Sequence, residues 1–233
     1  IALLFKQERK WAESVEEMEK FIRQHPKSHL YIEAYAEAGE LYLSLKDYPK
    51  ALEKFDWVIQ NHPQHLVVKR AYLGMEEGYR HLGRIDQAVK VMRDFVGKFP
   101  NDEMRYEGYL RLGLLFSNQK KFGDAISVLS VAIRSTEEGI ASQAQLKLGE
   151  AYLGAENREQ ALVQFSKVVY LYPHRAEVME EALLKLGVLY LDEKKFTEAK
   201  QVYQKLLEKT KRGDRRELAK KMIDQIQRGM LPQ

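Results

Sequence analysis

Cysteine is absent from the 233-residue chain, which excludes disulfide bonds, thiol nucleophiles and cysteine-ligated zinc. Glycine and proline are few, at 14 and 6 residues, so the composition is not that of a collagen-like or low-complexity chain. No apolar run approaches the roughly 20 residues that a membrane-spanning helix needs, and we expect no direct membrane insertion. The 45% of hydrophobic residues is instead typical of a chain with a packed core.

Neither sign of charge dominates. The chain has 38 Lys and Arg against 34 Asp and Glu, a formal net charge of +4, and both signs are interspersed along its whole length. The most basic run, Lys209 to Lys221, contains Asp214 and Glu217 and no aromatic residues that could stack on bases. We therefore expect no nucleic-acid partner.

The chain does have an internal period. A small residue is followed by an aromatic residue three positions later, by Ala twelve later, by an aromatic residue or Leu sixteen later and often by Pro twenty-four later. The clearest copies are Gly39, Tyr42, Ala51, Phe55 and Pro63, and Gly149, Tyr152, Ala161, Phe165 and Pro173. The first position recurs at residues 2, 39, 76, 113, 149 and 187. Such regular intervals indicate a repeat protein.

Each copy is predicted to be a helical hairpin. Residues such as Tyr35, Gly39 and Tyr42 follow the i, i+4, i+7 spacing of one helix face. Short polar turns, for example Lys46 to Tyr48, leave room only for an antiparallel neighbour, and the proline ends the second helix. We expect the small residue and the alanine to lie where the two helices cross. A single hairpin exposes its outer apolar face, so the hairpins are expected to stack.

At these positions the sequence resembles the tetratricopeptide repeat (TPR) family. The resemblance implies an all-α fold, a right-handed TPR superhelix (α-solenoid) of helical hairpins with a C-terminal capping helix. One array is expected over 1–233: a truncated first repeat at 1–28, repeats at 29–65, 66–102, 103–138, 139–175 and 176–213, and the capping helix at 214–233. Because the first copy lacks its opening residues, we expect the protein to extend upstream of Ile1.

The repeats, at 36–38 residues, are longer than is usual in the family. In this they are similar to the repeats of bacterial envelope proteins, such as the periplasmic coordinator associated with the Tol–Pal system and the lipoprotein component of the outer-membrane assembly machine. That similarity favours the periplasm or cell envelope over the cytoplasm.

Glu76 departs from the pattern, because it occupies the small-residue position with Gly74 and Gly78 on either side. One interpretation is a locally rotated helix in which Glu76 reaches Arg80 one turn further on. The other is that the inconsistency marks a hinge or a functional site.

Catalytic, cofactor-binding and metal-binding patterns are missing from the sequence. The glycines do not form a phosphate-binding loop, and there is no H-E-x-x-H pair. The paired histidines, His25 with His29 and His62 with His65, fall in loops and are interpreted as ordinary polar residues. We expect a protein that is not an enzyme and that needs no cofactor or metal.

The resemblance implies instead that a stripe on the first helix of each hairpin lines a concave groove for a protein or peptide partner. The candidate groove residues are Glu37, Glu40, Leu73, Glu77, Leu110, Arg111, Leu114, Leu146, Lys147, Glu150, Leu184, Lys185 and Val188. The groove is expected to be apolar with cations towards its C-terminal end and acidic near its N-terminal end, at Glu33, Glu37, Glu40 and Glu77. Periodicity does not decide between this groove and a wider buried stripe that packs on the neighbouring repeat.

Three hypotheses for function follow. The first is a non-catalytic scaffold that binds an extended peptide or an amphipathic helix of a partner within a bacterial multiprotein assembly. The second is a self-assembling structural array, a homo-oligomer. The third is an accessory or targeting domain of a larger enzyme.

Overall fold

The protein was analysed as a computed structural model that describes residues 10–230. Within these residues the chain forms twelve α-helices and no strands. The helices are α1 (Trp11–Gln24), α2 (Tyr31–Ser44), α3 (Tyr48–Asn61), α4 (Val68–His81), α5 (Ile85–Lys98), α6 (Arg105–Asn118), α7 (Phe122–Ala132), α8 (Glu138–Gly154), α9 (Arg158–Leu171), α10 (Ala176–Asp192), α11 (Phe196–Lys209) and α12 (Gly213–Arg228). The opening residues of the predicted first repeat, Ala2 and Phe5, lie outside the described range, as do the last three of the predicted cap.

The helix ends follow from local sequence. Helices α1, α3, α5 and α9 each end two residues before a proline, whose ring cannot continue the helical hydrogen-bond ladder. Each turn inside a hairpin contains one residue with positive φ: Lys46 (60°), Gly83 (70°), Lys120 (59°), Glu156 (59°) and Lys194 (57°). At two of the following helices a side chain caps the N-terminus, where Asp47 accepts a hydrogen bond from the Lys50 amide and Asn157 accepts one from the Gln160 amide.

The chain divides between Gly108 and Tyr109 into two compact units. In the first unit, each of α1 to α4 packs on the next helix, and α2 also contacts α4. In the second unit, each of α7 to α11 packs on the next helix, and α8 also contacts α10. Contact between consecutive hairpins is the packing of an α-solenoid. The predicted fold class, all-α helical hairpins with a capping helix, is confirmed.

The small residues of the repeat have a direct structural explanation. A Cβ atom on Gly39, Gly113, Gly149 or Gly187 would lie 2.4–2.6 Å from the side chain sixteen residues later, which is Phe55, Leu129, Phe165 or Tyr203. Real Cβ contacts are not this short, so only glycine lets the second helix of the hairpin seat its large side chain on the first. The alanines at Ala51, Ala88, Ala125, Ala161 and Ala199 are fully buried in the second helices.

The approach of Glu76 to Arg80, which is one part of the first interpretation, is observed. The side chain of Glu76 is buried, and its Oε1 atom lies 3.3 Å from Nε of Arg80, one turn further on. Gly74 makes a different close approach, because a Cβ atom there would lie 2.3 Å from the ring of Phe55 in the preceding hairpin. Helix α4 therefore packs on α3 through Gly74, while position 76 carries a buried glutamate in place of the small residue.

A buried amide pair distinguishes the fifth hairpin. Gln145 of α8 donates from Nε2 to Oε1 of Gln164 of α9 over 2.6 Å, and both side chains are buried. At the equivalent places the sixth hairpin has Leu183 and Val202. The fifth hairpin thus has two hydrogen-bonded amides at a site where the sixth hairpin has apolar side chains.

Gln164→Val is expected to lower the free energy of unfolding by about 1–2 kcal/mol, because it leaves the amide of Gln145 buried without its partner. The double substitution Gln145→Leu with Gln164→Val, which copies the sixth hairpin, is expected to be close to neutral. Urea denaturation of the two single variants and the double variant measures the coupling. Additive losses in the double variant would contradict this interpretation.

Helix α12 closes the second unit as a cap. Ala219 is fully buried, and Met222, Ile223 and Ile226 pack against the core formed by α9, α10 and α11. Arg215 donates to Oε2 of Glu180 of α10 over 2.8 Å. The rest of the helix surface is largely polar, as a terminal cap requires.

Candidate partner-binding surface

The residue directly after the small-residue position is accessible in the first helix of every complete hairpin. These residues are Glu40, Glu77, Leu114, Glu150 and Val188, which are half-buried or exposed. Val188 is the most accessible of the apolar ones, with 53% of its surface exposed, and Leu114 is also exposed. This part of the predicted stripe is available to a partner.

The residue four positions earlier on the helix is less accessible. Leu110 and Leu146 keep only 4% and 2% of their surface exposed, and Leu146 belongs to the core of the second unit. Leu73 and Leu184 are half-buried. For Leu110 and Leu146, the structure corrects the expectation of a groove-lining role, because both side chains turn towards the core. The widened buried stripe, the other interpretation of the sequence, applies to them.

In the first unit the predicted acidic residues are largely paired. Arg70 of α4 donates to Oε2 of Glu37 over 2.9 Å and to Oε1 of Glu40 over 2.5 Å. Burial lowers the pKa of Arg70 and the hydrogen bonds to Glu40 and Glu37 raise it, with a net upward shift. One guanidinium therefore offsets part of the charge of two carboxylates, and this surface is less acidic than the sequence predicts.

The other two acidic residues lie beside histidines. Oε1 of Glu33 is 3.5 Å from Nε2 of His65, and Oε1 of Glu77 is 3.7 Å from Nε2 of His81. Both carboxylates are partly exposed. They add to the acidic character of this surface.

In the second unit the surface combines lysines with apolar side chains. Oε2 of Glu150 lies 2.9 Å from Nζ of Lys147, and Oε1 lies 3.3 Å from Nζ of Lys185 on the neighbouring helix α10. Two ammonium groups share one carboxylate, so the local charge is positive. Val188 lies one turn beyond Lys185 on α10. The arrangement suits a partner segment that offers both apolar and acidic side chains.

Two further surface features were not predicted from the repeat pattern. In the first unit, Tyr35 stacks on Trp57 with ring centroids 3.7 Å apart, and Nζ of Lys54 lies 5.1 Å from the Tyr35 ring. Burial, followed by the hydrogen bond with Tyr31, raises the pKa of Tyr35 to about 12. The hydroxyl is therefore neutral at physiological pH. The feature of the sequence that could have indicated this cluster is the presence of three aromatic residues, Tyr31, Tyr35 and Trp57, in one hairpin.

The second feature is the outward side of α9, where Val163, Tyr170 and Leu171 are exposed. The sequence could have indicated this feature, because the equivalent positions in the other second helices are polar residues or glycine. A pattern that records only what repeats share does not register this difference.

The described part of the chain contains neither a candidate metal site nor a candidate membrane-spanning helix. Between residues 10 and 230 no group of three or more His, Asp or Glu side chains could hold a metal ion. Within the same range no helix is both long enough and apolar enough to cross a bilayer.

A sequence model of the tetratricopeptide repeat matches residues 77–102, 143–174 and 181–209. Tetratricopeptide repeats are thus found in these three segments of the chain. No curated protein matches the chain in sequence.

Solved structures share the fold at low identity. The C-terminal part of a TPR repeat-containing protein from Cytophaga hutchinsonii superposes with a TM-score of 0.68 and 21% identity, over 89% of this chain and 77% of that one. A tetratricopeptide repeat protein from Parabacteroides merdae gives 0.62 and 12% identity, over 97% and 96%. MamA from Desulfovibrio magneticus RS-1 gives 0.62 and 19% identity, over 75% and 93%. These similarities establish the fold and leave the partner open.

Proposed function

We propose that this protein is a non-catalytic scaffold that binds an extended peptide or a helix of a partner protein along the first helices of its hairpins. The observation that carries the proposal is the surface of α8 and α10. There Lys147 and Lys185 share the single carboxylate of Glu150, and Val188 is exposed one turn from Lys185. An exposed apolar side chain beside surplus positive charge favours a partner segment with apolar and acidic residues.

The accessible members of the candidate set carry this proposal. They are Glu37, Glu40, Leu73, Glu77, Arg111, Leu114, Lys147, Glu150, Leu184, Lys185 and Val188. Leu110 and Leu146 support the surface from beneath, because their side chains are buried. Their replacement by a charged residue would damage the core and would give no information on binding.

The setting we propose is a multiprotein assembly of the bacterial envelope. The support for it is the repeat length of 36–38 residues, which resembles that of the envelope TPR proteins named above.

Peptides selected from a random library on the protein are expected to be rich in apolar and acidic residues. Their Kd is expected to rise at least about tenfold for Val188→Glu, since the new charge opposes both features of the peptide. Lys185→Glu is expected to act in the same direction. Fluorescence polarisation with labelled peptides measures the change.

Gln201→Glu is the matched control, because Gln201 is exposed on the second helix α11 and adds the same charge away from the proposed surface. Circular dichroism checks that all three variants keep their helicity. Peptides that bind Val188→Glu and Gln201→Glu as tightly as the unchanged protein would rule out this surface.

A further inference from the structure

Helix α12 takes the place of the first helix of a further hairpin. The turns at 193–195 and 210–212 are short, and α11 packs on both α10 and α12. Because short connections join antiparallel neighbours, α10 and α12 run parallel to each other. Nη1 of Arg215 lies 2.8 Å from Oε2 of Glu180, which sets the register of α12 against α10.

The residues one turn beyond this ion pair are apolar on both helices. On α10, Leu184 lies four residues after Glu180 and is half-buried. On α12, Leu218 lies three residues after Arg215 and keeps 41% of its surface exposed. Residues three or four apart share one side of a helix. The two leucines therefore lie at the same level of the parallel helices and face the same surface.

Helix α10 continues this apolar surface. Val188 and Leu191 follow Leu184 at i+4 and i+7, which spans about 10 Å of the helix. Leu184 and Leu191 lean on the core, whereas Val188 keeps 53% of its surface exposed. We call Leu184, Val188, Leu191 and Leu218 the apolar stripe. The equivalent series in α2, α4, α6 and α8 each contain a polar residue, at Glu40, Glu77, Ser117 and Glu150.

Two lysines flank the stripe, one on each helix. Lys185 of α10 shares the carboxylate of Glu150 with Lys147, so the charge on that side is positive. Lys221 of α12 is exposed, and within residues 10–230 it makes no ion pair. A partner that covers the stripe is therefore expected to present acidic residues on both sides of its own apolar residues.

Two glutamates lie one turn before these lysines. Glu181 precedes Lys185 by four residues on α10, and Glu217 precedes Lys221 by four residues on α12. Both helices thus run from a glutamate to a lysine in the same direction. The surface favours one orientation of a partner, with basic residues at the glutamates and acidic residues at the lysines.

We propose that α10 and α12 together bind an amphipathic α-helix of a partner protein, with its apolar residues on the apolar stripe and acidic residues at Lys185 and Lys221. A helix presents an apolar stripe with a polar flank on each side. An extended segment instead turns alternate side chains towards and away from the surface. This inference rests on the proposed function and adds that the bound segment is helical and that α12 belongs to the site.

Peptides selected on the protein from a random library are the probe. Leu218→Glu is expected to raise their Kd at least about tenfold, because it places a charge against the apolar side of the peptide. Lys221→Glu, which changes only an exposed side chain, is expected to act in the same direction. Val163→Glu on α9 and Lys205→Glu on α11 are the matched controls, because both residues are exposed on second helices. Fluorescence polarisation measures Kd.

Alanine scanning of the tightest peptide tests its conformation. The largest losses of affinity are expected at positions i, i+4 and i+7 of the peptide. In the complex, a ¹³C-labelled copy of the peptide is expected to give the Cα chemical shifts of a helix. Losses at alternate residues, or Cα shifts of an extended chain, would overturn the inference.

The variants separate this inference from the proposed function. If Val188→Glu weakens binding but Leu218→Glu and Lys221→Glu do not, the function stands and α12 is not part of the site. If none of the three weakens binding, both fail. A chain that dimerises by itself and loses the dimer in Leu218→Glu would show that a second copy covers the stripe, and it too would overturn the inference.

Discussion

Gly149→Val is expected to lower the free energy of unfolding by about 3 kcal/mol. The Cβ atom of the new side chain would lie 2.6–3.1 Å from three ring atoms of Phe165, and its two methyl groups would intrude further. The ring is fully buried at the crossing of α8 and α9, and it has no open space to move into. The two helices must separate or the ring must leave its rotamer, and both are costly in a close-packed interior.

Gly97→Val is the matched control for this prediction. Gly97 is also in a helix, and nothing lies within 4 Å of a Cβ atom built there. Valine is a somewhat better helix former than glycine, so the control is expected to be neutral or slightly stabilising. Urea denaturation followed by circular dichroism compares the two. Equal effects at both positions would show that the crossing tolerates a side chain.

Arg215→Ala is expected to cost about 3 kcal/mol and to act mainly on the attachment of helix α12. Glu180 keeps 5% and Arg215 keeps 14% of its side-chain surface exposed, and the two groups are 2.8 Å apart. Removing the guanidinium leaves a buried carboxylate without its counter-charge. Amide hydrogen exchange in α12 is expected to accelerate more than exchange in α8 or α9, because α12 loses the contact directly.

Two further variants make this result interpretable. Arg212→Ala removes the exposed ion pair with Asp214 at the start of the same helix and is expected to change little. Glu180→Leu with Arg215→Met replaces the buried pair by apolar side chains and is expected to restore most of the stability. If Arg215→Ala left exchange in α12 unchanged, the ion pair would not be what holds the cap.

The fold was predictable from sequence because its determinants are local and repeated. Each glycine such as Gly39 recurs with its large partner side chain at a fixed separation in the chain, and prolines such as Pro63 follow a helix end by two residues. Glu76 shows the limit of that approach. The pattern marks position 76 as a place for a small residue, whereas the structure buries a glutamate there, because spacing alone does not show how much room the neighbouring helix leaves.

The partner surface was predictable only in outline. Periodicity places Leu110 and Leu114 on neighbouring sides of one helix and gives no measure of burial, which depends on the hairpins packed around it. The pairing of Arg70 with Glu37 and Glu40 joins residues 30 and 33 positions apart in sequence. Charges that meet only after two hairpins stack cannot be summed correctly along the chain.

The left-handed residues in the hairpin turns have a practical consequence for the thermal resistance of the protein. Four of them carry side chains, at Lys46, Lys120, Glu156 and Lys194, in a backbone conformation that costs a non-glycine residue about 1 kcal/mol. These sites are solvent-facing and separate from every surface proposed to bind a partner. Relieving the backbone strain at these four sites is therefore expected to raise the melting temperature of the protein without altering the surfaces proposed to bind a partner.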